Sequence, residues 1–155
     1  MIDPTLEAGL RASFAAQGAM TALGVRITHV DEGQCTLSLP AATCTSQQHG
    51  YFHGGVIGAV ADSAGGYAAN SILMPALECV TAEYKINFLK PARGPMLHAH
   101  GKVVRPGRTL VVATVEVFCE DDGKEVLCAI AQMTLAAVAP RTMQDPYNQS
   151  GDKKT

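Results

Sequence analysis

The sequence has no concentrated positive charge and none of the short signatures of nucleotide-binding or serine hydrolase folds. Its 155 residues carry a net charge of −2, and no basic run or stripe stands out, which argues against a nucleic-acid-binding protein. The patterns G-x-x-x-x-G-K-[ST], G-x-G-x-x-G and G-x-S-x-G are absent. Nucleotide hydrolysis on a P-loop, dinucleotide chemistry and serine hydrolase chemistry therefore have no support.

A disulfide framework, a secretory signal and a membrane span are also not expected. The cysteines are odd in number and form no C-x-x-C pair, which predicts reduced, mostly buried thiols in a reducing compartment. They are Cys35, Cys44, Cys79, Cys119 and Cys128. The N-terminus lacks a basic region followed by an apolar core, so we expect a cytoplasmic protein. The apolar run at residues 54–77 contains Asp62 and Asn70, and a buried helix explains it better than a membrane span.

The composition, with 47% apolar and 17% charged residues, is that of a globular protein. We expect one domain over residues 1–140 and a disordered polar tail over residues 141–155. Hydrophobic periodicity predicts a helix at residues 4–18, ended by Gly18, and a long helix at Gly54–Ile72. Strands are predicted at residues 25–31, 34–39, 80–88, 97–104, 109–120 and 126–139. This order predicts an antiparallel α+β fold.

Glycine-containing segments predict the turns between neighbouring strands. Asp31-Glu32-Gly33 separates the first two strands, and Asp121-Asp122-Gly123 predicts the last hairpin turn. Arg105-Pro106-Gly107-Arg108 predicts a type II turn in which Gly107 supplies the positive φ.

The long helix is unusually rich in glycine and alanine. Each interior glycine costs up to about 1 kcal/mol relative to alanine, so a compensating interaction is expected. The simplest compensation is a sheet that wraps closely around a thin helix. Asp62 is the only carboxylate in this helix.

Residues 49–64 resemble the signature of PaaI-like hotdog thioesterases, of the 4-hydroxybenzoyl-CoA thioesterase superfamily. In that family His-Gly-Gly, here His53-Gly54-Gly55, opens the central helix, and an acidic residue, here Asp62, follows eight residues after the first glycine. Residues 81–94 resemble the next strand and the loop that closes it. The sequence around both motifs is most similar to the YigI-like branch, whose members act on medium- and long-chain acyl-CoA. The resemblance implies acyl-CoA thioesterase activity and a hotdog fold, a curved antiparallel sheet wrapped around a long central helix.

Elementary chemistry agrees with these roles. The start of a helix offers free N–H groups and the positive end of the helix dipole, and glycine lets a ligand come close. Gly54 could thus hold the carbonyl oxygen of a thioester and stabilise its developing charge. Asp62 could activate a water or attack the thioester to form a mixed anhydride. The family uses both routes, and the sequence leaves the choice open. The alternative is that Asp62 is a surface-facing helix residue.

Accessory residues follow from their positions in the resembling family. Gln47 is expected to help fix substrate or water, and Thr81 to hydrogen-bond near the catalytic carboxylate. A solvated loop amide and an ordinary strand threonine are equally good interpretations. His53 is expected to shape the helix start by packing or hydrogen bonding. Together with Phe52 and Gly55 it is assigned to substrate binding.

The resemblance also places basic loop residues near the nucleotide end of coenzyme A. These are Lys90, Arg93, Arg105 and Arg108. Arginine binds phosphate in a bidentate fork, although arginine in a turn is usually only solvated. We expect the Gly107-Arg108 hairpin to matter more than Lys90.

The family further implies a homodimer that pairs into a dimer of dimers, with acyl-CoA as the small-molecule partner. No metal and no cofactor are expected, since coenzyme A is part of the substrate, and no nucleic acid or membrane partner is expected. His98 and His100 alternate on one strand, but no third metal ligand is near them in sequence. A hotdog hydratase or dehydratase and a non-catalytic acyl-CoA binder remain alternatives. The sequence does not identify the acyl group.

Overall fold

Three α-helices, one short 3-10 helix (Thr43–Thr45) and six strands form the part of the chain that the structure describes. The computed structural model describes residues 2–140. The helices are α1 (Pro4–Ala15), α2 (Gly18–Leu23) and α3 (Gly54–Leu73). The strands are β1 (Arg26–Asp31), β2 (Gln34–Pro40), β3 (Glu78–Phe88), β4 (Met96–Pro106), β5 (Leu110–Asp121) and β6 (Lys124–Val138). The tail predicted at residues 141–155 lies outside the described residues.

All six strands form one antiparallel sheet in the order β1-β2-β4-β5-β6-β3. The predicted turn at residues 121–123 is confirmed as a hairpin, because Asp121 pairs with Lys124. Asp122 and Gly123 have φ of 50° and 71°, as a two-residue type I′ turn requires. Strand β3 pairs only with β6 and forms one edge of the sheet, so its outer side has no partner strand among the described residues.

Helix α3 lies against the concave face of the sheet, where alternate strand residues such as Leu37, Val115 and Leu135 are fully buried. The two layers approach closely. A Cβ atom at Gly101 of β4 would collide with the carbonyl oxygen of Ala64 in α3. A curved antiparallel sheet around a long central helix is the hotdog architecture, so the fold expected from the sequence is confirmed. Among the helices of residues 2–140, none combines the length and the apolarity that crossing a membrane requires.

The N-terminal segment differs from the prediction, because two helices replace the single helix at residues 4–18. Helix α1 ends at Ala15, and Gln17 is extended, with ψ of 102°. Gly18, predicted as a stop, instead begins α2, and Gly24 caps the end of that helix in the left-handed conformation, with φ of 78°. The break lets Leu10 of α1 and Met20 of α2 both enter the core.

The type II turn predicted at residues 105–108 is wrong. Strand β4 continues to Pro106, which pairs with Val111, and Gly107 does not have the positive φ that this turn needs. Glycine is required there for a different reason. A Cβ atom at Gly107 would collide with the carbonyl oxygen of Leu110.

Candidate active site

The start of α3 leaves one backbone N–H without an acceptor. His53 is the N-cap residue, and its Nδ1 accepts a hydrogen bond from the N–H of Gly55 at 3.0 Å. The carbonyl oxygen of His53 accepts from Val56 at 2.9 Å and from Ile57 at 3.0 Å. Within the described residues, Gly54 alone of these first helical residues has an N–H with no hydrogen-bond acceptor. The positive end of a 20-residue helix therefore presents one free donor.

One row of side-chain positions on α3 faces the edge strand β3. Residues four apart on a helix lie above one another, and the row is Gly54, Gly58, Asp62 and Gly66. The strand residues that these positions meet, in the same order, are Phe88, Tyr84, Thr81 and Cys79. Strand β3 thus runs along the helix in the opposite direction. Asp62 is the only row position with a side chain that can react.

A β-bulge in β3 aligns this strand with the helix. Thr81 pairs with Leu135 of β6, and Glu83 pairs with the residue just before Leu135, so Ala82 is an extra residue without a partner. In a regular strand, residues an odd number apart point to opposite faces. The bulge removes this difference, so Thr81 and Tyr84 both face α3.

Asp62 is half-buried and hydrogen-bonded through one oxygen. The Oγ1 atom of Thr81 donates to its Oδ1 at 2.7 Å, while Oδ2 has no partner within the described residues. Burial, and secondarily the charge of Asp62, raises the pKa of the nearby Cys79 thiol to about 12. Cys79 is therefore neutral at physiological pH, and a neutral thiol is a poor nucleophile. Of these two side chains, the carboxylate is therefore the stronger candidate for a reactive group.

A cleft of about 480 Å³ adjoins the free N–H of Gly54. Phe52, Ile57 and Phe88 supply apolar walls, and Gln47 supplies a polar group. The Oε1 atom of Gln47 accepts a hydrogen bond from the N–H of His49. The amide nitrogen of Gln47 has no acceptor within the described residues, so it can donate to a ligand in the cleft.

The four basic loop residues do not come together in one chain. Lys90 lines the cleft, and Arg93 lies at the same end of the sheet, paired with Asp121 at 3.1 Å. This carboxylate raises the pKa of Arg93. Arg105 and Arg108 lie at the far end of the 11-residue strand β4, roughly 30 Å away at about 3.3 Å per residue.

The outer face of the sheet has a second depression, of about 570 Å³, lined by residues from five strands. His100 at its edge shares a hydrogen bond with Thr36 (3.1 Å), and the neighbouring His98 shares one with Ser38 (2.8 Å). In residues 2–140 no group of three or more His, Cys, Asp or Glu side chains could hold a metal ion. This face lies on the opposite side of the sheet from α3 and carries none of the row residues.

Tyr84 was not singled out from the sequence. Strict alternation separates it from Thr81, since the two residues are three apart. The signal that could have found it is the bulge at Ala82, which depends on pairing with β6.

Comparisons with known proteins agree with the observed fold and also indicate the general activity of the protein. A family model described as the thioesterase superfamily matches residues 49–126. A Saccharolobus solfataricus protein named as an esterase is 37% identical over 103 residues, covering 66% of this chain and 71% of that protein. The crystal structure of a thioesterase family protein from Silicibacter pomeroyi is 40% identical, with a TM-score of 0.84 over 87% of this chain and 99% of that chain.

The Escherichia coli PaaI protein of the phenylacetic acid degradation operon shares the fold, with a TM-score of 0.78, 24% identity, and coverage of 90% of this chain and 97% of that one. The family match spans half of the 155-residue chain and includes the start of α3, Asp62 and all of β3. By this match and these relatives, the chain belongs to the thioesterase superfamily, and its general activity is thioester hydrolysis.

Proposed function

We propose that the protein is an acyl-CoA thioesterase, which converts an acyl-CoA and water to the free acid and coenzyme A. The observation that carries the proposal is the pairing of an unbonded Gly54 N–H with the Asp62 carboxylate in one row of α3. The first is a donor for a carbonyl oxygen, and the second is a base or nucleophile. The reaction needs water as its only co-reactant, so the proposal includes no cofactor and no metal.

The proposed steps use groups whose positions are known. The carbonyl oxygen accepts from the Gly54 N–H, where the helix dipole stabilises the charge that develops. Asp62 takes a proton from water, or attacks the carbonyl carbon itself. Thr81 holds Oδ1 and leaves Oδ2 for this step. In the first route the water oxygen bonds to the carbonyl carbon, the C–S bond breaks, and the free acid and the thiolate of coenzyme A leave. In the second route the C–S bond breaks as Asp62 forms a mixed anhydride, the thiolate leaves, and water then hydrolyses the anhydride to the free acid.

The site is proposed to be shared between two chains. Gly54 and Asp62 are eight residues apart on one helix, about 12 Å at 1.5 Å per residue. A reacting carbonyl must lie near 3 Å from its donor and in reach of its attacking group, which one helix does not achieve. A two-fold axis that sets two α3 helices antiparallel brings Gly54 of one chain to Asp62 of the other.

Strand β3 is the surface that supports this dimer. It is 11 residues long and has an open edge, and Val80 and Phe88 are 53% and 54% exposed. Long apolar edge strands are normally covered. Pairing β3 with its copy would cover both edges and lay the two helices side by side.

The same two-fold symmetry would bring the basic loop of one chain close to the basic hairpin of the other. With the two chains antiparallel, the hairpin containing Arg105 and Arg108 of one chain lies toward the Lys90 end of the other. Cations from both chains could then flank the phosphates of one coenzyme A. Further parts of the proposal are the pairing of dimers into tetramers, from the family resemblance, and a cytoplasmic location, from the cysteine content.

A thiol-release assay on a panel from acetyl- to palmitoyl-CoA, with aryl-CoA substrates included, tests the proposal. We expect release of free coenzyme A with at least one class of acyl group, and the preferred class identifies the substrate. Binding measured by calorimetry without any release would indicate a non-catalytic acyl-CoA binder and would overturn the proposal. Formation or loss of a double bond in the acyl group would indicate a hydratase instead.

A further inference from the structure

Tyr84 places a hydroxyl group one helical turn before Asp62 of the same chain, the proposed base. Its Oη atom lies beside Gly58, 3.1 Å from the position that a Cβ atom would occupy there. Gly58 is the row position between Gly54 and Asp62. The Tyr84 side chain is 42% exposed, and its hydroxyl has no hydrogen-bond partner within residues 2–140. A free phenol therefore faces α3 on the same row as Asp62, the carboxylate that is proposed to take the proton from water.

The spacing of the row suits one water molecule. Gly58 and Asp62 are one helical turn apart, about 6 Å along the axis. Two O–H···O hydrogen bonds of about 2.8 Å that share one water span about 5.6 Å. On the Asp62 side, Thr81 already binds Oδ1, so Oδ2 is the free acceptor. A water between Tyr84 Oη and Asp62 Oδ2 would have a partner on each side.

We propose that Tyr84 is a positioning residue that holds the attacking water against Asp62, an inference that rests on the proposed function. In this step the water oxygen forms a bond with the carbonyl carbon, and its proton passes to Oδ2 of Asp62. The tetrahedral intermediate then breaks its C–S bond, and the leaving thiolate takes the proton from Asp62. Tyr84 gains and loses no proton; its hydroxyl orients the water. Of the two routes open to Asp62, this one makes it the general base.

A substitution can separate the contribution of the Tyr84 hydroxyl from that of its ring. Phe88, which contacts Gly54 in the same row, has no polar group on its side chain. If Tyr84 only lined the acyl site, phenylalanine at position 84 would work equally well. Water is the common reactant of every acyl-CoA. A loss caused by poor water positioning must therefore be the same for all acyl groups, whereas a wall residue affects short and long chains differently.

The test compares Tyr84→Phe with the wild-type protein on acyl-CoA substrates of several chain lengths. We expect kcat to fall about 5- to 30-fold, the range expected for one lost hydrogen bond in the transition state. KM should stay within about two-fold, and the melting temperature should not change. The matched control is Tyr67→Phe, which removes a hydroxyl bonded to Ser13 and Gln17, away from β3. Its kcat and KM should equal those of the wild type.

Each other outcome overturns the inference. An unchanged kcat, a loss that appears in KM, or a loss that varies with acyl length would show that Tyr84 is not the water-positioning group. A fall in melting temperature that parallels the loss would make it structural. Asp62→Asn in the same assay separates the two proposals. If the wild-type protein releases no coenzyme A from any substrate, the proposed function is wrong. If it is active and Asp62→Asn keeps that activity, Asp62 is not the base; if Asp62→Asn is inactive while Tyr84→Phe is fully active, only the role of Tyr84 is wrong.

Discussion

At the scale of single residues, Asp62 is distinguished by its neighbours. Thr81 binds one of its oxygens, glycines lie one turn before and after it, and the pKa of the nearby Cys79 thiol is raised to about 12 by burial and by Asp62 itself. The Cys79 thiol is thus neutral, and Asp62 stays the candidate base or nucleophile of this row.

We expect Asp62→Asn to fold normally and to lose at least about 100-fold in kcat, since general-base contributions are typically 10²–10⁴-fold. Asparagine keeps the shape and can still accept the Thr81 hydrogen bond, but it has no negative charge. Steady-state kinetics and thermal melting on the same preparation check both statements. Retention of more than about a tenth of kcat would contradict the role of Asp62.

Arg108 is expected to act on binding alone. Arg108→Ala should raise KM for acyl-CoA several-fold with kcat nearly unchanged, because it removes an interaction that the ground and transition states share. An acyl-pantetheine, which lacks the nucleotide, should be insensitive to the change. Arg26→Ala, an exposed arginine on β1, is the control and should affect neither substrate. Equal effects of Arg108→Ala on both substrates would make Arg108 structural.

At the scale of elements, the contact between α3 and β4 depends on the absence of side chains. Gly101 lies against the backbone of Ala64 and Gly65, so the helix and the strand approach to a distance that no Cβ atom allows. The glycines that weaken α3 as an isolated helix allow this packing. This close contact with β4 also fixes the first turn of α3 and Asp62 relative to β3.

Gly101→Ala should lower the free energy of unfolding by about 1–3 kcal/mol, the usual cost of overpacking a core. Urea denaturation measures this change. Gly9→Ala is the matched control, because Gly9 lies in α1 with open space around its Cβ position. There alanine should raise stability by up to about 1 kcal/mol, through helix propensity. A neutral Gly101→Ala variant would mean that the helix can move away from β4 at little cost.

At the scale of the whole molecule, the shared site predicts complementation between two inactive variants. Asp62→Asn removes the base, and Gly54→Pro removes the donor N–H. Proline is tolerated at the first helical position, and His53 before it already has the extended conformation that proline requires, with φ of −68° and ψ of 133°. Each homodimer should be inactive, but a mixed dimer has one site with Gly54 and Asp62 both intact.

Refolding the two variants together should therefore restore measurable activity. Native mass spectrometry of differently tagged subunits verifies that the chains mix, and circular dichroism verifies that the Gly54→Pro variant folds. If both conditions are met and no activity returns, the site is not shared between chains.

Local sequence features determined where the long helix and the last hairpin turn of this protein lie. The long helix was predicted at Gly54–Ile72 and is observed at Gly54–Leu73, and the predicted turn at residues 121–123 is a type I′ hairpin. Such features depend on side chains within one turn of the backbone. The family resemblance likewise rests on contiguous residues at the start of α3. The catalytic roles of Gly54, Asp62, Gln47 and Thr81 stay predictions.

Only the tertiary structure decided which residues of β3 face Asp62. Strand β3 precedes β4 in the chain, yet it pairs with β6 at the edge of the sheet, and the pairing creates the bulge at Ala82 that turns Thr81 and Tyr84 to the same side. Strand order and register follow from burial between segments distant in sequence. The alternation of apolar and polar residues within one strand therefore does not predict which strand it pairs with.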